Sequence, residues 1–305
     1  MSDRDTREYD AFGPWVDEVR SADDVPRLFR PFRLDLARTR LVLKVPRDIA
    51  RRDATPDMDL YDHLVVLDDT RITVLTRIAA GGFDESAVAY GDVLAVVDAV
   101  DLLDARFTLH DRHGGTLSFR YNGSAGRSMK QLVSELRSAT SDAPISPVAR
   151  AVAAAPGGPP PGSDDLGPRG RGLVSEYLDV ARSRPDLRAQ AWHGPRTLQT
   201  RRTGPAAWWH RVVSLFLPTR LAGAVVASGP RTLELVTRRE GITRSARPDY
   251  SLARVVVPLG ALDRVDAAPH PELADVTVLT LVGGEGGVPL AVPTGSSTET
   301  FLTAT

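Results

Sequence analysis

From His63 to Tyr121 the apolar positions fall in short runs that alternate with polar ones. HLVVL is followed by the polar turn Asp68-Asp69-Thr70 and then by RITVLTR, where Ile72 and Val74 share one side. VAYGDVLAVVDAVDLL leads to a hairpin, RFTLH-DRHGG-TLSFRY. There Phe107 and Leu109, then Leu117, Phe119 and Tyr121, alternate with polar neighbours such as Ser118 and Arg120. Gly114-Gly115 suits its tight connection. The pattern predicts strands at 40–45, 63–67, 71–77, 87–90, 93–103, 105–110 and 116–121. A helix should start at Ser124, with Met129, Leu132, Val133 and Leu136 as its apolar stripe.

Upstream, RTRLVLKV is a strand that Pro46 ends, and 47–62 is polar and irregular, with one helical turn near Ile49. A short helix is expected from Trp15 to Arg20, with Pro14 in its first turn. Tyr9, Phe12 and Trp15 should dock onto the strands, because an exposed aromatic cluster is costly.

Residues 139–171 are rich in Pro, Gly and Ala, and nearly lack large apolar side chains. They read as a disordered linker. GLVSEYLDVARSR (172–184) is an amphipathic helix stopped by Pro185. Beyond it the first pattern repeats. LFLPTRL (215–221) matches LFRPFRL (28–34) at five of seven positions, and VVASGPRTLELVTR (225–238) resembles VVLDDTRITVLTR (65–77). VPLGALDRVD (257–266) parallels AYGDVLAVVD (89–98), and LTLVGGEGGVPLAV (279–292) parallels the first hairpin. STETFLTAT would be a shortened closing helix, and the second copy lacks a counterpart of 36–62. The expected organisation is a first module at 1–138 with its N-terminal docking segment, a linker at 139–171, and a second module at 172–305. The fold class is mainly β (α+β).

Composition narrows the chemistry. The 305 residues suffice for two domains, each with a core. Cysteine is absent, which removes disulfides, thiolate metal sites and thiol nucleophiles. Net charge is −1, so no overall field favours nucleic acid. The charge is uneven: residues 1–140 carry 20 basic against 24 acidic side chains, and 141–305 carry 18 against 15. MSDRDTREYDAFG has no apolar core of a signal peptide, and no uncharged 18-residue apolar window occurs, so a cytoplasmic protein is expected. Only Lys44 and Lys130 are lysines, a usage that points to a high-GC bacterial genome.

A meander of seven strands closed by one amphipathic helix resembles the pleckstrin-homology-like (PH-like, GRAM-like) modules of bacteria. The resemblance rests on Arg71-Ile72-Thr73-Val74, on the step Ala89-Tyr90-Gly91-Asp92-Val93 and on the glycine-tipped hairpin. It covers 63–137, and 221–305 less fully. It implies two near-orthogonal sheets forming a β-barrel or sandwich, with the last helix plugging the open end. It also implies binding of phosphoinositides, peptides or proteins, or a scaffold role. The fold by itself does not choose among these.

Three places could carry binding chemistry. Arg38, Arg40, Lys44, Arg47, Arg51 and Arg52 cluster around the first strand and the loop after it, where PH-like modules hold anionic headgroups. Guanidinium forks suit phosphate. The alternative is a solvated face paired with Asp35, Asp48, Asp53 and Asp57. His110-Asp111-Arg112-His113 holds possible metal ligands, but hairpin tips collect polar residues and no fourth ligand is evident. Trp208, Trp209 and Arg211, preceded by Arg201 and Arg202, suit a membrane or partner contact, or else cap the second core.

No GxSxG, HExxH or Walker motif occurs, and no GxGxxG opens a helix; GGEGG (283–287) reads as a turn. Asp59, Asp62, Asp98 and Asp101 could pair, yet the sequence places none of them in a cleft. The expectation is a non-enzymatic binding or scaffolding protein without cofactor or metal, with a protein partner favoured. A peripheral protein of anionic membranes is the alternative, and a hydrolase with its site between the modules a weaker one.

Overall fold

The structure is a computed structural model that describes residues 3–140, 145–201, 218–245 and 249–304. The chain is mainly β, built of several antiparallel sheets. After helix α1 (Asp3–Ala11), the first sheet runs β1 (Asp17–Glu18), β2 (Thr39–Pro46), β3 (Tyr61–Asp68), β4 (Arg71–Arg77) and β5 (Phe83–Ala89), in that spatial order. Then come β6 (Val93–Asp101), β7 (Asp104–Asp111), β8 (Thr116–Asn122) and helix α2 (Gly126–Ala139). The seven predicted strands are thus present. The hairpin tip at Gly114 has the positive φ, +83°, expected of it. Met129, Leu132, Val133 and Leu136 are the buried stripe of α2, packed on Phe107, Leu109, Phe119 and Val96.

The helix expected at 15–20 does not form. β1 pairs there with β2, Asp17 opposite Lys44. Phe12 is buried and Tyr9 packs beside it, but Trp15 is 55% exposed, so the aromatic docking is only partial.

The C-terminal half begins earlier than the repeat suggests. Helix α3 (Pro147–Ala154) and helix α4 (Arg171–Ser183) precede β9 (Arg188–His193), β10 (Arg196–Thr197), β11 (Thr219–Leu221) and β12 (Ala224–Ser228). They are followed by β13 (Thr232–Thr237), β14 (Ile242–Arg244), β15 (Leu252–Pro258), β16 (Arg264–Pro269), β17 (Val276–Gly283), β18 (Gly286–Pro293) and helix α5 (Ser297–Thr303). The hairpin β12–β13 and the 3-10 turn Leu259–Ala261 occupy the places that β3–β4 and the turn Tyr90–Asp92 hold earlier. β9 pairs with β12 as β2 pairs with β3, so the strand read as missing lies upstream, in RAQAWH.

Two further corrections concern the middle of the chain. The segment expected to be a disordered linker contains α3, capped by Ser146, whose Oγ accepts from the Ala149 N–H and donates to the Leu262 carbonyl. Ala149 and Val152 are fully buried in the core formed by Leu233, Leu235, Leu279 and Leu302. Small side chains let this helix approach closely, which offsets its lack of large apolar groups. No sheet closes into a barrel among the described residues. β6 instead pairs antiparallel with β15, giving one seven-stranded sheet, β8-β7-β6-β15-β13-β12-β9, shared by both halves. β10-β11-β14 and β16-β17-β18 form smaller sheets.

Candidate functional site

A cleft of about 720 Å³ opens beside β8, one of the two edge strands of the large sheet. One wall is Ser118–Asn122 of β8 with Arg106 of β7; the other is Pro46, which ends β2, and Arg47–Ile49 after it, with Asp62 and His63 of β3. The His63 and Phe119 rings meet across it at 5.5 Å, and Phe119 stacks on Phe107 at 5.0 Å. His63 Nδ1 lies 3.1 Å from Thr76 Oγ1. Burial lowers the pKa of its imidazole, against neighbouring Asp62, which raises it, and so favours the neutral ring.

The charges in the cleft are of both signs. Asp62 takes Arg77 at 2.8 Å, with Arg47 at 3.9 Å. Asp104 takes Arg120 at 2.8 Å and Arg239 at 2.7 Å, and these two hydrogen bonds hold its carboxyl below the usual range. Among the described residues, Arg106 on one wall and Asp48 on the other meet no counter-ion. Arg106 faces Arg120 in the β7–β8 register, a like-charge pair that Asp104 relieves only for Arg120.

At the cleft rim stands the β6–β7 turn. Leu102 and Leu103 are 81% and 65% exposed, and Leu102 has φ +55°. The left-handed region costs a leucine about 1–2 kcal/mol, and such turns favour Gly or Asn. Gly123 packs under the turn: its N–H donates to the Leu103 carbonyl, and a Cβ there would lie 2.0 Å from the Leu102 carbonyl oxygen.

Behind the cleft a charged seam crosses the large sheet. Tyr121 donates its hydroxyl to Asp98, which stands opposite Arg254 in the β6–β15 register. Burial raises the Asp98 carboxyl, against the Tyr121 hydrogen bond and Arg254, which lower it. Arg254 contacts Glu234 at 2.6 Å, and Arg137 of α2 and Arg184, the C-cap of α4, reach the same carboxylate at 3.1 Å each. Glu234 is 1% exposed. Burial lowers Arg137 to about 10, and Glu234 opposes the shift. Arg184 also holds Asp186 at 2.7 Å. A carboxylate engaged by three guanidinium groups is tied up as a structural counter-ion.

The basic run of the sequence is dispersed over separate partners. Arg38 ends a 3-10 turn on the surface, Arg40 lies 3.9 Å from Asp69, and Arg52 is 3.7 Å from Asp53. Lys44 is buried, 5.3 Å over the Tyr61 ring. Arg51 stacks on Tyr9 at 4.0 Å and donates to the Tyr9 and Phe12 carbonyls. Of these six only Arg47 lines the cleft. Arg201 donates to the Leu273 carbonyl at 2.8 Å. Arg202, Trp208, Trp209 and Arg211 lie outside the described residues. In the tip, Asp111 accepts from the His113 and Gly115 N–H groups, and His113 Nε2 is 3.4 Å from Asp92. No group of three or more His, Asp or Glu disposed to hold a metal occurs among the described residues.

Sequence reasoning passed over Leu102, Leu103 and Arg106. The available signal was a leucine pair at a two-residue turn flanked by aspartates, where Asn-Gly chemistry is expected. Fold and cleft together define a mainly β protein of antiparallel sheets. Among the described residues no helix is long and apolar enough to cross a membrane. Set against protein-family models, curated proteins and solved structures, the chain finds no match.

Proposed function

We propose that the chain is a non-enzymatic binding or scaffolding protein of two PH-like modules fused through one sheet, and that it takes a protein partner in the β8 cleft. The observation carrying this reading is the exposed Leu102-Leu103 turn at the rim of a cleft with mixed charge. An anionic bilayer would favour a wall of one sign. Arg47, Arg106 and Arg120 are instead interleaved with Asp48, Asp62 and Asp104, with one charge of each sign unpaired among the described residues. A polypeptide can match both, and its backbone can pair with the side of β8 that has no neighbouring strand among the described residues. Two exposed leucines supply the apolar anchor such a contact needs. The non-enzymatic reading is supported by the engagement of Glu234, Asp104 and Asp62 with arginines. The PH-like reading is supported by the succession of hairpin, 3-10 turn, hairpin and helix in each half.

The test is a photo-crosslinking residue at Ser118 of the full chain in its native host, run beside co-sedimentation with anionic vesicles at low salt. A protein adduct at 118 that disappears when Leu102 and Leu103 are both changed to Asn, with no vesicle binding, supports the proposal. Absence of an adduct together with salt-sensitive vesicle binding overturns it in favour of a membrane surface.

A further inference from the structure

A second cavity, of about 330 Å³, lies in the C-terminal half at the N-terminus of α4. Leu173, Leu221 and Leu252 give it apolar walls. Arg169, Arg220 and Arg238 line it, and among the described lining residues the one carboxylate is Asp249, which already accepts the Ser251 N–H at 2.9 Å. Arg238 is 9% exposed. Its guanidinium is fixed by two carbonyls, those of Ser251 at 2.6 Å and Arg169 at 2.9 Å. No carboxylate lies within ion-pair distance of it among the described residues. The fold therefore holds a buried cation rigidly and leaves N–H donors to spare, and among the described residues the only counter-charge acting on it is Asp249, from beyond ion-pair distance. A partly compensated buried cation is costly, and an anion in direct contact would relieve it.

The α4 terminus adds to the same field. Its N-cap is Gly170, which provides no side-chain cap, so the positive end of a 13-residue helix faces the cavity through Gly172. A Cβ built on Gly172 would sit 3.8 Å from Arg238 Nη2, so the guanidinium and the helix end converge on one point.

We propose that this cavity binds a small organic monoanion, with its carboxylate between Arg238 and the start of α4 and its hydrocarbon body against Leu173, Leu221 and Leu252. Charge and apolar wall each select one end of the ligand, and neither a bare inorganic anion nor a neutral alcohol satisfies both. The site is separate from the β8 cleft and does not depend on what that cleft binds.

The experiment is calorimetric titration of the full chain with octanoate, octan-1-ol and inorganic phosphate. Substituting Arg238 risks the fold, so the diagnostic variant is Gly172→Asp, which places a carboxylate beside Arg238 and the helix end. Octanoate should bind at least ten-fold more tightly than octanol or phosphate. In Gly172→Asp its affinity should fall at least ten-fold, while the melting temperature of the unliganded protein rises. No heat with octanoate, equal affinity for octanol or phosphate, or unchanged octanoate binding in Gly172→Asp would each overturn the proposal.

Discussion

Asp98 and Arg254 stand opposite each other where β6 of the N-terminal half pairs with β15 of the C-terminal half. Each is tied to a further group in its own half, Asp98 to Tyr121 and Arg254 to Glu234. The joint thus carries a continuous run of charge and hydrogen bonding across the shared sheet.

Glu234 holds that run together. Glu234→Gln would leave Arg137, Arg184 and Arg254 partly buried around a neutral group. The expected loss of unfolding free energy in urea is about 3–5 kcal/mol, the usual result of removing one partner of a buried ion pair. Tryptophan fluorescence and circular dichroism should report one coincident transition, since both halves share the sheet. A loss under about 1 kcal/mol would mean that the three arginines find other partners.

His193 makes stability depend on acid. It is 5% exposed on β9, with Nδ1 2.9 Å from Thr298 Oγ1 of α5. Burial, with Arg196 nearby, lowers its imidazole to about 4 from 6.5. The folded state therefore prefers the neutral ring. The stabilisation is complete above the unfolded pKa and is lost as pH falls from about 6.5 towards 4. The wild type should lose roughly 2–3 kcal/mol more than His193→Gln between pH 7 and 4.5. Parallel stability curves for the two proteins would rule this out.

Leu102 sits in backbone strain that asparagine tolerates. Leu102→Asn is expected to raise unfolding free energy by about 0.5–1 kcal/mol and at the same time weaken partner capture at Ser118. A drop in stability would show that the leucine side chain packs usefully where it stands.

Local pattern reached much of this fold. RITVLTR is β4 residue for residue, and the stripe of α2 was visible as four apolar positions at helical spacing. Pattern failed where distant packing decided the outcome. RAQAWH is a strand because β12 pairs with it, although Arg188 and Gln190 dilute its apolar character. PVARAVAA is a helix because a core accepts its small side chains. Nothing local tells that VLAVVDAV and LARVVVP are neighbours, since both read equally well as strands buried elsewhere. For the same reason the cleft was only partly legible. Arg47 stood within the basic run, but Arg106 and His63 face it only once β7 and β3 are placed.

The β6–β15 pairing also bears on how the chain must be made. A ribosome finishes β6 some 150 residues before β15 exists. Until then Val96–Val100 is a valine-rich ribbon without its neighbour, and a nascent chain beside another can borrow the wrong one. Separately expressed halves inherit the same difficulty permanently. Each would carry an unsatisfied strand whose natural complement is the other half, so mixing the two offers reassembly and keeping them apart invites swapping between identical copies.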